Sequence, residues 1–372
     1  LIYLYSQWNQ GQRWLRRYCG KNSTLAVIFG FTATGLIPRI SAAGATPQER
    51  EYTAIADAEF LATGGRVPPQ HPLPNLMAGI SPVVLTRAVV ESLKLPTYLF
   101  NAGLLHPPTV KTIDLGGVAA NCVTSGCAMS LDTVKQLFQQ GLQWGEKLAK
   151  TTDYLIIGEC VVGGTTTALS LLTGLGIEAR GMVNSSHPCC NHQQKWSIVE
   201  QGLKQAGLWQ YLGKVAPLDL VAAVGDPMQI VAAGMAIAAS RHGGVLLAGG
   251  TQMLAVYALV KVLSQQLRLA ANIEEIVVGT TRWVAEDPTG NTVQLARTIS
   301  GVTLLATGLN FTASKYSGFR TYEQGYVKEG VGAGGCAIAA YLKQGITSIE
   351  LLTVIEALWR NYQLIGQSSP NV

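Results

Sequence analysis

Three stretches of this chain combine residue types that can do chemistry. In Gly158-Glu-Cys-Val-Val-Gly-Gly-Thr-Thr-Thr167, two glycines and three threonines follow an apolar run and precede a helix-forming stretch. Glycine lets the backbone approach a phosphate, and the free N–H groups of a helix start attract an anion. Gly163, Gly164, Thr165 and Thr166 are therefore candidate phosphate contacts, with Glu159 beside them. No lysine precedes the threonines as in a Walker loop, and the glycine spacing is not that of a dinucleotide fingerprint. The alternative is a plain strand-to-helix turn.

The second stretch is Lys328-Glu-Gly-Val-Gly-Ala-Gly-Gly335. Glu329 on such glycine-rich backbone can serve as a general base if its surroundings tune its pKa. It can equally be an acid in a first helical turn, favoured by the macrodipole. The third stretch, Asn184 to Lys195, holds His187, Cys189, Cys190 and His192. The adjacent cysteines, with no second pair at finger spacing, favour a polar loop over a zinc site. Lys195 offers a point charge for a phosphate, or is a solvated surface lysine. Ser185, Ser186 and His187 form no triad pattern, and no Gly-x-Ser-x-Gly elbow occurs. Asp226-Pro227 suits a ribose hydroxyl or a helix N-cap.

The elements that must position these residues read as strand, loop and helix in alternation. Apolar runs at Leu25–Gly30, Val83–Leu85, Thr97–Phe100, Tyr154–Gly158, Leu220–Val224, Gly244–Ala248 and Glu275–Gly279 are expected strands. Helices are expected over residues 1–20, with Trp8, Trp14 and Leu15 on one side, and over 133–151, 166–175, 227–240, 251–267 and 336–360. Continuous hydrophobic strands followed by helices indicate an α/β fold: a Rossmann-like, mostly parallel sheet with helices on both faces. A large nucleotide-binding domain is expected over 21–330, and a smaller helical part from 1–20 and 331–372. Such sheets bind ligands beyond the carboxyl ends of their strands.

Composition narrows the classes. Of 372 residues, 48% are hydrophobic and 13% charged, so a sizeable core is available. The net charge of +5 is scattered, which argues against a nucleic-acid partner. Seven cysteines, an odd number without small-domain spacing, suggest reduced thiols in a cytoplasm. Residues 1–20 lack the apolar core of a signal peptide, and no apolar run reaches about 18 residues, so no membrane partner is expected.

Taken together, these segments resemble nicotinate-nucleotide–dimethylbenzimidazole phosphoribosyltransferase, and more narrowly its archaeal and cyanobacterial uncharacterised branch. Ile40-Ser-Ala-Ala-Gly-Ala-Thr-Pro47 and Tyr52-Thr-Ala-Ile-Ala-Asp-Ala-Glu59 carry the narrower likeness. The Glu159 loop is similar to the family's Gly-Glu-Met-Gly-Ile-Gly-Asn-Thr-Thr stretch, with Gly164 where the family has Asn. The Glu329 loop is similar to its Gly-Glu-Gly-Thr-Gly-Ala, in which the glutamate is the catalytic base. Gln194–Glu200 resembles a segment whose lysine lies near the nucleotide phosphate. Val245–Gly249 resembles a strand whose end faces the ligand, with Ala248 where the family has Asp.

The resemblance implies transfer of the phosphoribosyl group of nicotinate mononucleotide to a nitrogen base, giving an α-ribotide as in cobamide lower-ligand activation. It implies Glu329 as the base, and substrate contacts from Glu159, Gly163, Gly164, Thr165, Thr166, Lys195, Gly249, Gly250, Gly330 and Gly332. It also implies a homodimer. The reaction needs positioning and one base, with no metal or redox cofactor. The alternatives are a nucleotide-binding protein of the same fold without catalysis, and a nucleotide-dependent oxidoreductase, which the missing dinucleotide fingerprint disfavours.

Overall fold

Every residue of Ser23–Gly30 is buried, as expected for a strand covered on both faces. The computed structural model describes residues 2–67, 69–73 and 79–368. Eight strands form one sheet: β1 Ile2–Leu4, β2 Ser23–Gly30, β3 Thr97–Gly103, β4 Ile113–Asp114, β5 Tyr154–Cys160, β6 Gly244–Ala248, β7 Ile276–Thr281 and β8 Thr303–Thr307. Their order is β1-β8-β7-β6-β5-β2-β3-β4. All pairings are parallel except that of β1 with β8. The expected Rossmann-like fold with a mostly parallel sheet is borne out.

Alternate residues of each strand feed opposite cores. Ala26, Ile28, Leu155, Ile157, Val245 and Leu247 pack under the helices Leu131–Ala149, Pro227–Ala239 and Thr251–Gln266. Leu25, Val27, Phe29, Ile156, Leu246 and Val277 face the helices Pro47–Thr63, Val83–Leu93 and Ala333–Gln344. Chain order runs outward in both directions from the β5–β2 pair. The crevice at the carboxyl ends of these two strands is the topological switch point, where such sheets take their ligands.

Two expected strands are helices. Val83–Leu85 opens the helix Val83–Leu93, and Leu220–Val224 belongs to the helix Pro217–Val224. A short run of apolar residues alone carries no sequence period that separates the two. Pro82 and Pro217 at the helix starts preset the backbone for a turn. The expected helix over 1–20 begins only at Trp8, after β1. Trp14 is buried but Trp8 is 60% exposed, so the two do not share one buried side. The described residues 2–20 and 331–368 add β1 to the sheet edge and pack helices on its second face.

No single helix among the described residues is long and apolar enough to cross a membrane. The helices Ala333–Gln344 and Ser348–Ile365 meet that length and composition only as a pair, and they bend by 119° at their junction. All seven cysteines are free thiols.

Candidate active site

The carboxyl ends of β5, β6 and β7 open into a cavity of about 410 Å³. Its floor is the turn after β5. Gly163 has φ 86°, and a Cβ there would lie 2.8 Å from the backbone of Gly35, so glycine is required. The helix Gly164–Gly174 starts directly from this turn, and the helix Thr251–Gln266 starts from Gly250 on the same wall. Two helix N-termini thus border one volume, an arrangement suited to an anion, although the Gly164 and Thr166 N–H groups already donate to Val161 O and Gly163 O at 3.0 and 2.9 Å.

Across the cavity, the Glu329 loop is built under strain. Val327, Lys328 and Val331 have φ of 63°, 66° and 53°, values disfavoured for side chains of this kind. The surrounding structure holds them there. The Val327 N–H donates to Ser186 O at 3.2 Å, and the Thr281 hydroxyl donates to Lys328 O at 2.6 Å. The Val331 N–H donates to Glu159 O at 3.0 Å. Backbone strain kept by many contacts is typical of functional loops.

Glu329 points its carboxylate at the start of the helix Ala333–Gln344 while lining the cavity. Oε1 accepts from the N–H groups of Gly330 and Gly334, at 3.2 and 3.0 Å. Oε2 accepts from the Thr281 N–H and the Thr280 hydroxyl, at 3.0 and 3.1 Å. Burial pushes its pKa up to about 7, with these four donors pulling the other way. Glu329 thus accepts from the start of a helix and is also one of the residues lining the cavity.

Glu159 is 5% exposed. Its Oε2 accepts from Gln252 Nε2 at 2.6 Å and from the Val161 N–H at 3.2 Å. Burial first, then the charges of Asp226 and Glu329, raise it to about 8. Of the expected contacts, Glu159, Gly163, Gly164, Thr165, Gly250, Glu329 and Gly330 line the cavity, and Thr166, Lys195, Gly249 and Gly332 do not. Thr166 is fully buried, and its hydroxyl has no partner among the described residues. Gly332 packs on Ala248 and Gly158, and Gly249 lies beside Met253 and Glu159.

Lys195 is not a surface lysine. It is fully buried, its ammonium donates to Asn184 O, and burial lowers its pKa to about 7. Close by, Lys328 pairs with Asp287 at 2.5 Å, both side chains being 2% exposed. Lys328 itself lines the cavity beside Asn184, Ser185 and His187, whereas Lys195 and Asp287 do not.

Asp226 is an N-cap. Its Oδ1 accepts from the N–H groups of Met228 and Gln229, and Thr167 donates to Oδ2 at 2.5 Å. The residues of the Asn184–Lys195 stretch make these contacts. His187 Nε2 meets Arg39 O, His192 Nε2 meets Thr289 O, and Cys189 is exposed. Among the described residues no group of three or more His, Cys, Asp or Glu is placed to hold a metal.

Sequence reasoning missed one wall. Arg50, Thr53 and Asp57, from the helix Pro47–Thr63, line the cavity with Ser81 and Gln252. The signal was available. These three polar residues recur at spacings of three and four, which puts them on one helix face.

Comparisons with known proteins agree with this architecture. A family model described as phosphoribosyltransferase matches residues 94–271. The UPF0284 protein of Rippkaea orientalis is 64% identical over 360 residues, covering 96% of this chain and 98% of that protein. That of Trichodesmium erythraeum is 58% identical, covering 97% and 99%. Among solved structures, CobT from Thermus thermophilus superposes with a TM-score of 0.58 at 15% identity, covering 91% of this chain and 84% of that one. A nicotinate-nucleotide–dimethylbenzimidazole phosphoribosyltransferase structure from the same organism gives 0.55 at 15% identity, covering 93% and 86%. At that identity the likeness establishes the fold.

Proposed function

This chain belongs to the UPF0284 family and matches a phosphoribosyltransferase model through its middle, and on that premise we propose that it transfers the phosphoribosyl group of nicotinate mononucleotide to a ring nitrogen of an aromatic base. One observation carries the reading: the Glu329 carboxylate and the Gly163–Thr165 turn face one cavity of a size suited to small ligands.

The donor's phosphate rests on the two helix N-termini, at Gly163–Thr165 and at Gly250–Gln252. Lys328 lines the cavity with Asp287 as its partner, and the buried Lys195 lies next to that pair, so positive charge on this side favours an anion. The acceptor nitrogen attacks the anomeric carbon from the face next to Glu329. As the new C–N bond forms, the bond to nicotinate breaks and its electron pair leaves with the pyridine nitrogen. The N–H proton of the acceptor passes to Glu329. Attack opposite the leaving group gives an α-ribotide, the form in which a cobamide lower ligand is activated. A carboxylate tuned to about 7 is matched to taking a proton near neutral pH.

Incubation with nicotinate mononucleotide and a panel of aromatic bases tests this. Free nicotinate and a new ribotide are expected with at least one base. A protein that binds the donor and releases no nicotinate with any base is a nucleotide-binding protein of this fold, and the transfer reading fails.

A further inference from the structure

Asp57 is a buried acid that the transfer chemistry above does not use. It is 3% exposed, yet it lines the cavity. Oδ1 accepts from the Ser81 hydroxyl at 2.7 Å, and Oδ2 from the Cys160 thiol at 3.4 Å. Among the described residues no cation pairs with it, unlike Asp287, which holds Lys328. A carboxylate has about four acceptor directions, and two neutral donors, one of them a weak thiol, leave others open. Burying such a group without its partners is costly. Its position on a cavity wall makes a ligand the natural source of the missing donor.

The wall around Asp57 continues directly to Glu329. Ser81 precedes Pro82, and the Pro82 ring lies so close to Gly330 that a Cβ there would sit 3.3 Å from it. Pro82, Cys160 and Val161 add apolar lining to the same cavity. The slot these groups offer, with a proton acceptor at Glu329 and spare acceptor capacity at Asp57, fits a flat ring carrying hydrogen-bond donors at two edges. We propose that Asp57 selects the acceptor, favouring an aromatic nitrogen base whose edge away from the attacking nitrogen bears an N–H or O–H donor over one bearing only methyl groups. The inference rests on the transfer reading for the role of that slot, and it names the acceptor class which that reading leaves open. A methyl edge against Asp57 strips water from the carboxylate and returns no hydrogen bond, and sites built to bind a polar edge reject its apolar isostere strongly.

The test uses an amino-substituted benzimidazole and its methyl-substituted isostere. Calorimetry gives the affinity of each, and nicotinate release from nicotinate mononucleotide gives each kcat/KM. The wild type is expected to prefer the amino probe about tenfold or more. Asp57→Asn narrows that ratio, and Asp57→Leu brings it to unity or below. Equal use of both probes by the wild type overturns the assignment, as does a preference that survives in both variants. If Asp57→Leu fails to fold, Asp57→Asn alone decides. A binding preference with no nicotinate release for either probe or for any base of the wider panel supports the Asp57 assignment and overturns the transfer reading, so the two failures separate.

Discussion

The backbone N–H of Val331 donates to the carbonyl of Glu159 at 3.0 Å. This bond ties the strained loop that carries Glu329 to the end of β5, which leads into the Gly163–Thr165 turn. The two acid-bearing segments are some 170 residues apart in sequence, and the sheet brings them together at its switch point. The chemistry proposed for the cavity depends on that join being rigid.

Gly334 is the tightest point of the join. A Cβ there would lie 2.3 Å from the Thr280 backbone and 2.5 Å from Glu329 Oε2. Gly334→Ala is expected to destabilise the protein by about 1–3 kcal/mol through overpacking. It is also expected to lower turnover more than it weakens donor binding. Denaturant unfolding and steady-state kinetics check the two halves.

The Lys328–Asp287 pair anchors the same loop from behind, and Lys328 also donates to His187 O at 2.9 Å. Asp287→Asn strands a buried ammonium and is expected to cost about 3–5 kcal/mol of stability. Adding Lys328→Met removes the stranded charge and should recover part of that loss. A double-mutant cycle read by urea unfolding measures the coupling, and additive losses would show that the pair is not coupled.

Glu159 predicts a pH dependence. Its folded pKa is raised from 4.5 to about 8, chiefly by burial. Between those values the folded state holds a proton that the unfolded state has released. The contribution to stability is therefore greatest at low pH and is lost as pH rises through about 8. Glu159→Gln stays neutral, and one oxygen of its amide can accept from both Gln252 and Val161. The stability of the variant relative to wild type should thus rise from pH 5 toward pH 8, by at most about 1.4 kcal/mol per pH unit. A flat difference in melting temperature over that range would contradict the raised pKa.

Much of this is legible in the residues. The glycine–threonine turn, the Glu329 loop and five of the apolar runs announce a parallel sheet with its site at the strand ends. Val83–Leu85 and Leu220–Val224 mislead because a short run made only of apolar residues has no polar-apolar period to separate helix from strand. Lys195 reads in sequence as facing a phosphate or water, but its burial depends on Asn184, which only tertiary packing brings over its ammonium. Asp57 lies in plain view on one helix face with Arg50 and Thr53. Ser81 and Cys160, the partners that mark it as a cavity residue, come from two other elements, and nothing local in the sequence joins them.

The central claim is that Glu329 takes the acceptor's proton in the cavity that holds the donor, and single-turnover nicotinate release at saturating donor tests it most directly. Glu329→Gln should bind nicotinate mononucleotide within a few-fold of wild type and release nicotinate about 100-fold or more slowly. Release at the wild-type rate from the variant, with the same ribotide formed, would contradict the account.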